Sequence, residues 1–385
     1  MPALRGKTIL ILSPQAWGKM FLSKHHYAIE LARRGNKVYF LNPPRQEPGK
    51  AGVTITPSGV DKNLLLIDHG LWFPYKLKFH AMPLFHFLMR GHVKKLLRAI
   101  GEPVDIVWSF DLGNLYPFAL FGKRPLKLFH PVDEPLNPAA IDSARGCQVV
   151  FSVTREILEK YRQFKAPGYL INHGLADPFL IPVDVHRPAG DPPRVGMSGN
   201  LLRGDIDRET FLRIIRDNPR ALFECWGSFS AAQSNIAGDN DDATRQFISS
   251  LQAMPNVTLH GAVSTDQLAV AIHNMDAFLI CYDIKKDQSG GTNYHKIMEY
   301  LSTGKVIVSN NVTAFKDRDD LIQMVRQRDN NHELPALFKK VIDNLARFNG
   351  PDLQQCRVDY SRDNTYRAQL GRIETFLEPL INDQK

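Results

Sequence analysis

The chain has 385 residues, of which 43% are hydrophobic and 23% are charged. This composition is typical of soluble globular proteins and excludes a disordered or fibrous chain. The length suits two domains of roughly 190 residues better than one, and no apolar run approaches the ~20 residues that a membrane-spanning helix needs.

The net charge of +8 is unevenly distributed. Residues 1–190 carry 25 Lys and Arg against 14 Asp and Glu, whereas the remainder carries 23 against 26. A basic first half predicts an anionic partner, either a phosphorylated substrate, an anionic membrane surface or a nucleic acid. Because the sequence contains no recognised nucleic-acid-binding module, we expect no nucleic-acid partner.

Strands and helices alternate through the first half. Thr8–Leu12 (TILIL) is a continuous apolar run, typical of a parallel strand buried on both faces. A helical pattern from Ser23 to Arg34 ends at Gly35, and Lys37–Leu41 predicts a second buried strand. The pattern continues with a basic helix over 84–100 and strands over 64–67, 106–109, 126–130, 149–153 and 168–172.

The pattern restarts after a Pro- and Gly-rich segment, 182–194, which is the predicted linker. We therefore expect an α/β protein with two Rossmann-like, doubly wound parallel-sheet domains, whose ligand binds in the cleft between them. The predicted bounds are 1–187 for an acceptor-binding domain and 188–360 for a nucleotide-sugar-binding domain. Residues 361–385 predict a helix that packs back on the first domain.

The segment 287–310 (DQSGGTNYHKIMEYLSTGKVIVSN) carries the most specific chemistry. Gly290, Gly291 and Thr292 follow a predicted strand and precede a helix predicted from Asn293. Backbone N–H groups in such a loop can approach an anion closely, and the helix N-terminus adds partial positive charge. This arrangement predicts a diphosphate site.

The helix itself has two predicted faces. Residues 294, 297, 298 and 301 recur at helical spacing and form the core face. Asn293, Lys296 and Glu299 share the opposite face, which suits a nucleotide, with a cation near phosphate and a carboxylate near ribose hydroxyls. The alternative interpretation is a solvated face with an ordinary i,i+3 Lys–Glu pair.

This segment resembles the N-P-x-K-x-x-E-Y-x-A-x-G-K-P-V-V element of GT-B glycosyltransferases, especially the glycosyltransferase family 4-like group. The stretch 256–282 (NVTLHGAVSTDQLAVAIHNMDAFLICY) is similar to a second element of that group, and 23–44 is similar to its first strand–helix–strand unit. The matching positions of the first element are Asn293, Lys296, Glu299, Tyr300, Gly304, Lys305 and Val306–Val308.

The resemblance implies roles for residues of the second domain. Glu299 matches the glutamate that binds the nucleotide ribose, whereas Gly291 stands where many relatives carry another glutamate. Gly199-Asn200 and Arg203 resemble a shortened G-R-x-x-x-x-K-G loop, in which Arg203 replaces a lysine that contacts the diphosphate. Alternatively, Arg203 is an ordinary surface charge of the loop.

Three groups of the first domain are implicated in the same way. Gly18 resembles a loop glycine that faces the donor phosphate. His130 ends a strand where relatives place a histidine near the donor sugar, although a structural histidine is the common alternative. His25 and His26 open the first helix and are candidates for acceptor contact.

Metal binding is not expected. Asp205-Ile206-Asp207 has the D-x-D spelling of metal-dependent transferases, but it precedes a predicted helix, where one aspartate serves better as a cap. The resemblance implies a retaining, metal-independent glycosyltransferase (a hexosyltransferase of class EC 2.4) that requires no cofactor. His130, Arg203 and Lys296 are the expected catalytic residues, and a UDP- or GDP-linked sugar is the donor.

Two alternatives remain open: a sugar-nucleotide epimerase on the same fold, and a nucleotide-sugar-binding protein without turnover. The expected acceptor is a glycan or lipid-linked acceptor of surface polysaccharide biosynthesis. Segment 72–98 mixes aromatic residues with Lys and Arg, which predicts either an anionic membrane surface contact or a core helix with a basic solvent face. The expected location is cytoplasmic, with peripheral attachment at the inner face of the plasma membrane.

Overall fold

The computed structural model describes residues 4–18, 21–45, 52–230, 241–287 and 290–382. The chain forms two compact units, the first made of Met1–Asn172 with Tyr366–Lys385 and the second of His173–Thr365. None of the helices in these described ranges has the length and apolar character needed to cross a membrane.

The first unit is built on an eight-stranded sheet in the order β3-β4-β2-β1-β5-β6-β7-β8. All neighbours pair in parallel except β3 with β4, which are antiparallel. The inner strands are buried along their length because helices cover both faces, which explains their continuous apolar sequences. The strands are β1 (Thr8–Leu12), β2 (Lys37–Leu41), β3 (Gly52–Pro57), β4 (Leu64–Gly70), β5 (Ile106–Ser109), β6 (Leu126–Phe129), β7 (Val149–Ser152) and β8 (Gly168–Leu170).

Among the residues that the structure describes, five helices of this unit precede β8. They are α1 (Ser23–Arg33), α2 (Leu77–His80), α3 (Met82–Ile100), α4 (Pro138–Asp142) and α5 (Arg155–Glu159). The edge strand β3 was not predicted from the sequence. It is half exposed and pairs antiparallel, so it lacks the continuous apolar run that is typical of a central parallel strand.

The second unit is a six-stranded parallel sheet in the order β11-β10-β9-β12-β13-β14. Its strands are β9 (Arg194–Ser198), β10 (Leu222–Trp226), β11 (Val257–Gly261), β12 (Ala277–Ile280), β13 (Val306–Ser309) and β14 (Ile322–Met324). Its helices are α6 (Arg208–Asp217), α7 (Asp242–Gln252), α8 (Thr265–Ile272), α9 (Lys296–Leu301), α10 (Leu334–Ile342), α11 (Leu345–Phe348) and α12 (Pro351–Asp363).

The last helix, α13 (Tyr366–Asn382), belongs to the first unit although it follows the second in sequence. The Arg34 guanidinium, just after α1, pairs with the Glu374 carboxylate at 3.1 Å, and the Leu4 N–H donates to the same side chain at 2.8 Å. The Tyr366 hydroxyl donates to Ser23 Oγ at 3.1 Å. The predicted return of a C-terminal helix to the first domain is confirmed, and the helix starts at Tyr366 rather than at 361.

The predicted linker 182–194 lies within the second unit, whose first residue is His173 rather than residue 188. Gln354 Nε2 donates to the Val185 carbonyl at 2.7 Å, and Arg187 Nη2 donates to the Met275 carbonyl at 2.9 Å. These bonds fix the segment to α12 and to the approach of β12. A Pro- and Gly-rich composition therefore marks an irregular but anchored segment here.

Candidate nucleotide-sugar site

The second sheet has a topological switch point between β9 and β12. Chain order runs outward from β9 in one direction through β10 and β11, and in the other direction through β12, β13 and β14. Adjacent loops leave such a sheet in opposite directions at this point, which opens a crevice outside the carboxyl ends of the two strands. Ser198 ends β9, and Tyr282 follows the end of β12.

Lys296 joins the ends of these two strands. Its Nζ donates to the Ser198 carbonyl oxygen at 2.5 Å and to the Tyr282 hydroxyl at 2.6 Å. The side chain is buried, and no carboxylate of the described residues forms an ion pair with it. A buried cation without a counter-ion is costly, and its third N–H donor is not used by these two bonds.

Two glycines let the backbone approach Lys296 closely. Gly199 has φ +145°, and a Cβ there would lie 2.7 Å from Lys296 Nζ. Gly227, at the end of β10, has φ +130°, and a Cβ there would lie 1.8 Å from the Gly199 carbonyl oxygen. The loops after β9 and β10 therefore pack backbone against backbone, which fixes the position of the backbone next to the Lys296 ammonium group.

The loop that precedes α9 differs from the prediction. The helix starts at Lys296 rather than at Asn293, and it is only six residues long. The Gly291 N–H donates to Asp287 Oδ2 at 3.1 Å, and the Gly290 N–H donates to the Asp287 carbonyl at 2.9 Å. In this structure Asp287 accepts from both amides, and diphosphate binding by Gly290, Gly291 and Thr292 stays a prediction. Gln288 and Ser289 lie outside the described residues.

Burial of this segment contradicts the solvated-face alternative. Thr292, Asn293 and Lys296 are all buried, together with the predicted core residues Tyr294, Ile297, Met298 and Leu301. The Tyr294 hydroxyl donates to Asp287 Oδ2 at 2.8 Å, which ties the turn to the carboxylate that also holds Gly291. The segment is therefore packed on both sides, and Thr292, Asn293 and Lys296 do not form a solvated face.

Glu299 lies one helical turn beyond Lys296 and is partly buried. Burial raises the pKa of Glu299 to about 7, although the nearby charge of Lys296 acts in the opposite direction. Within the described part of the chain its carboxylate has no hydrogen-bond partner. A carboxylate in this state can accept hydrogen bonds from ligand hydroxyl groups.

Arg203 is held by two carboxylates. Its Nε donates to Asp205 Oδ1 at 2.8 Å and its Nη2 donates to Asp205 Oδ2, while Asp287 Oδ1 lies 3.5 Å from Nη2. Burial lowers the pKa of Arg203, but the hydrogen bonds to Asp205 raise it on balance. Nη1 takes no part in these contacts. Arg203 can therefore meet a phosphate through Nη1 without leaving Asp205.

Asn200 shapes the loop that carries Arg203. It is buried, and its Oδ1 accepts from the Leu202 N–H at 3.0 Å, while its carbonyl accepts from the Arg203 N–H at 3.3 Å. The arginine expected at this position from the family pattern is replaced here by a loop-stabilising amide.

The D-x-D sequence is a helix cap, as predicted. Asp207 is the N-cap of α6, and its side chain accepts from the Thr210 N–H at 3.1 Å and from the Thr210 hydroxyl at 2.8 Å. Asp205 is occupied by Arg203. Across the described ranges, no group of three or more His, Cys, Asp or Glu side chains is arranged to hold a metal ion.

The two helix-opening histidines of the first unit occupy different environments. His25 is buried, its Nδ1 accepts from the Leu22 N–H at 3.0 Å, and its Nε2 contacts the Ala16 carbonyl at 3.2 Å. Burial lowers the pKa of His25 to about 3. Both ring nitrogens have backbone partners, and the acceptor contact of His25 stays a prediction. His26 stacks on Tyr366 with ring centroids 4.6 Å apart, and its role stays a prediction.

His130 follows β6 and lies in an aromatic cluster. The backbone N–H of His130 donates to the Ser109 carbonyl at 2.8 Å, and the imidazole ring stacks on Trp108 and Phe110 at centroid distances of 5.9 and 5.0 Å. The side chain is buried. The strand-end position is as predicted, and the contact with a donor sugar stays a prediction. Gly18 lies in the loop after β1, next to residues outside the described ranges.

Sequence reasoning missed Tyr282, Ser198 and Asp287 as parts of the site. Tyr282 and Ser198 are the direct partners of Lys296, and Asp287 organises the turn before α9. The available signal was positional, since each follows or ends a predicted parallel strand, and ligand sites in such sheets lie at the carboxyl ends of strands.

No protein-family model matches the sequence, and no curated protein matches it. Solved structures do match it over nearly its whole length. A sucrose-phosphate synthase from Thermosynechococcus elongatus gives a TM-score of 0.71 at 12% identity, covering 98% of this chain and 100% of that one. An α,α-trehalose 6-phosphate synthase from Burkholderia multivorans gives 0.67 at 12% identity, covering 99% and 100%.

A third match is HepE of Anabaena in complex with UDP and glucose, with a TM-score of 0.63 at 12% identity, covering 96% of this chain and 99% of that one. The chain has the GT-B fold. The fold predicted from the sequence is thereby confirmed, whereas the closer resemblance to family 4 stays a prediction, since identities this low establish the fold alone.

Proposed function

We propose that this GT-B protein is a glycosyltransferase that moves a sugar from a nucleoside diphosphate sugar to an acceptor hydroxyl. The strongest support is Lys296, a buried ammonium at the switch point of the second sheet that forms no ion pair with any carboxylate of the described residues. A diphosphate supplies the missing negative charge and accepts the remaining N–H bond. UDP-bound HepE, a protein of the same fold, supports this choice of ligand.

In the proposed complex, Lys296 and Arg203 bind the diphosphate and Glu299 accepts from the ribose hydroxyls. Gly199 and Gly227 permit the close approach of the backbone, while Asn200, Gly290, Gly291, Thr292 and Asn293 shape the surrounding loops. The first unit binds the acceptor, with His26 and Gly18 as candidate contacts, and His130 contacts the donor sugar. The donor is UDP- or GDP-linked.

The proposed reaction breaks the bond between the anomeric carbon and the diphosphate oxygen and forms a bond to the acceptor oxygen. Negative charge grows on the leaving diphosphate, and the two fixed cations stabilise it without a metal ion. The leaving phosphate takes the acceptor proton, and the configuration at the anomeric carbon is retained. No protein base is required in this scheme.

Gly291 distinguishes this chain from relatives that carry a glutamate there. Its φ is +67°, and a Cβ would lie 3.0 Å from the Asn311 carbonyl oxygen and 3.1 Å from Ile284 Cδ1. A glutamate does not fit this backbone, so sugar hydroxyls must be recognised by other groups. This departure is the specific observation that favours the second candidate, a protein that binds a nucleotide sugar without turnover.

A panel of UDP- and GDP-sugars tests the proposal. A ligand that binds only the folded state raises the melting temperature, and we expect such a rise for at least one donor. That donor, incubated with glycan acceptors, should release its nucleoside diphosphate. NMR of the donor alone separates transfer from epimerisation, which needs no acceptor. Binding without product in any incubation would replace the transferase with the non-catalytic alternative.

The affinity for UDP should increase as the pH rises through about 7, because Glu299, whose pKa is about 7, is then ionised. A charged acceptor strengthens a hydrogen bond by roughly 1 kcal/mol or more, so the expected gain is several-fold. Calorimetric titration of wild type and Glu299→Gln measures it. Protonation of UDP itself affects its binding to wild type and to Glu299→Gln equally. If the UDP affinity of the variant depended on pH as strongly as that of wild type, the role of Glu299 would be contradicted.

We also propose that the protein acts in surface polysaccharide biosynthesis, from the cytoplasmic side, on a glycan or lipid-linked acceptor. The basic character of the first half supports an anionic partner.

A further inference from the structure

Charge in the first unit is concentrated in one segment without acidic residues. Residues 69–101 contain six Lys and Arg and no Asp or Glu. Five of the six are exposed: Lys76, Arg90, Lys94, Lys95 and Arg98. A run this long without a carboxylate leaves the positive charge uncompensated within its own sequence, and it attracts anions.

The same segment exposes large apolar side chains. Trp72 is 60% exposed, Phe79 68%, Leu84 48% and Phe87 66%. They lie within sixteen consecutive positions (72–87), before and at the start of α3. Large apolar side chains exposed this close together in sequence are unusual for a protein surface, and a contiguous apolar patch is the mark of an interaction surface.

Helical geometry puts the apolar and basic groups on one side of α3. The opposite side is buried by Phe85, Met89, Val93, Leu96 and Ile100. Positions 84, 87, 91, 94 and 98 recur at three- and four-residue spacing, so they form one exposed stripe. The stripe is apolar at its N-terminal end (Leu84, Phe87) and basic at its C-terminal end (Lys94, Arg98).

We propose that this stripe, together with Trp72 and Phe79, docks on a lipid bilayer that contains anionic headgroups. Apolar side chains of an interfacial helix enter the boundary between headgroups and acyl chains, while Lys and Arg stay at the headgroup level. Charge complementarity selects the anionic surface. The inference goes beyond the transfer reaction and rests on the proposed function only in that docking would bring the enzyme to a lipid-linked acceptor.

Nucleic acid fits the surface less well. A basic surface for single strands stacks bases on aromatic rings, but Leu84 offers no ring and the outermost groups at this end of α3 are apolar. Burying them against a hydrated phosphate backbone gains little, whereas a bilayer accommodates them. The bilayer is therefore the partner that uses both halves of the stripe.

Co-sedimentation of the full chain with vesicles tests the proposal. We expect binding to mixed phosphatidylcholine–phosphatidylglycerol vesicles, much weaker binding to phosphatidylcholine alone, and partial release by salt, which screens the charges. Lys94→Gln with Lys95→Gln should weaken partitioning about 25-fold, since each basic group near an anionic surface contributes about fivefold. Leu84→Ser with Phe87→Ser should weaken it roughly tenfold or more.

Matched controls lie in the second unit. Lys339→Gln with Lys340→Gln removes another exposed adjacent pair, and Val270→Ser removes an apolar side chain that is 62% exposed. Both should bind vesicles like wild type. All variants should keep the UDP-induced rise in melting temperature, which separates failure of docking from failure of the proposed function. Absence of wild-type binding at low salt, equal losses in the controls, or binding of nucleic acid instead of vesicles would overturn the proposal.

Discussion

Replacing Lys296 by Met is expected to lower the rate of nucleoside diphosphate release about 100-fold or more, the usual cost of removing one fixed donor from a developing negative charge. Methionine keeps most of the side-chain volume and removes only the ammonium group. The loss should appear in kcat, because the diphosphate gains charge as the glycosidic bond breaks. Steady-state assays with the donor found in the panel measure it.

The thermal stability of Lys296→Met should not fall together with its activity. The ammonium is buried between the Ser198 carbonyl and the Tyr282 hydroxyl, and none of the carboxylates that the structure describes forms an ion pair with it, so its removal relieves a desolvation cost. We expect the melting temperature of unliganded Lys296→Met to equal or exceed that of wild type, and the stabilisation by UDP to shrink. Lys339→Met, at an exposed lysine paired with Asp343, is the control. Full turnover in a folded Lys296→Met protein would contradict the assignment.

Replacing Gly227 by Ala is expected to destabilise the second unit severely. The added Cβ would lie 1.8 Å from the Gly199 carbonyl oxygen, a backbone atom that cannot move without displacing the loop after β9. The φ of +130° adds strain for any residue with a Cβ. Together these effects should cost about 3–5 kcal/mol, and UDP binding should be lost with the loop.

The matched control for this variant is Gly371→Ala. Gly371 lies inside α13, and a Cβ there meets no atom within 4 Å. This substitution should be neutral or stabilise the chain by up to about 1 kcal/mol, since Ala favours helix over Gly. Denaturant unfolding followed by circular dichroism compares the two. Equal stability of Gly227→Ala and wild type would show that the two loops do not pack as described.

Local sequence signals predicted the elements that depend on local physics. The helix predicted after Asp205-Ile206-Asp207, observed as Arg208–Asp217, was recognised because an N-cap aspartate precedes an amphipathic run and a buried strand follows it. The run Thr8–Leu12 was recognised because strands buried on both faces are continuously apolar. The edge strand Gly52–Pro57 has neither signal, since its stability comes from pairing with β4.

Only the part of the site that depends on local spacing was predicted from the sequence. Lys296 and Glu299 lie three residues apart on one predicted helix face, so this pair was recognised. The bonds of Lys296 to Ser198 and of Arg203 to Asp287 join residues far apart in sequence, and only the folded sheet brings them together. Asp287 accepts hydrogen bonds from the N–H groups of Gly290 and Gly291, the same donors that were predicted to bind the diphosphate. The spacing of residues in the sequence does not reveal such a contact.

A crystal structure of the protein with UDP would show whether Lys296 binds the diphosphate. We expect the diphosphate within hydrogen-bond distance of Lys296 Nζ at the carboxyl ends of β9 and β12, with the ribose hydroxyls at Glu299. UDP bound elsewhere in the chain, or a Lys296 ammonium that keeps only its two present partners while UDP is bound, would contradict it.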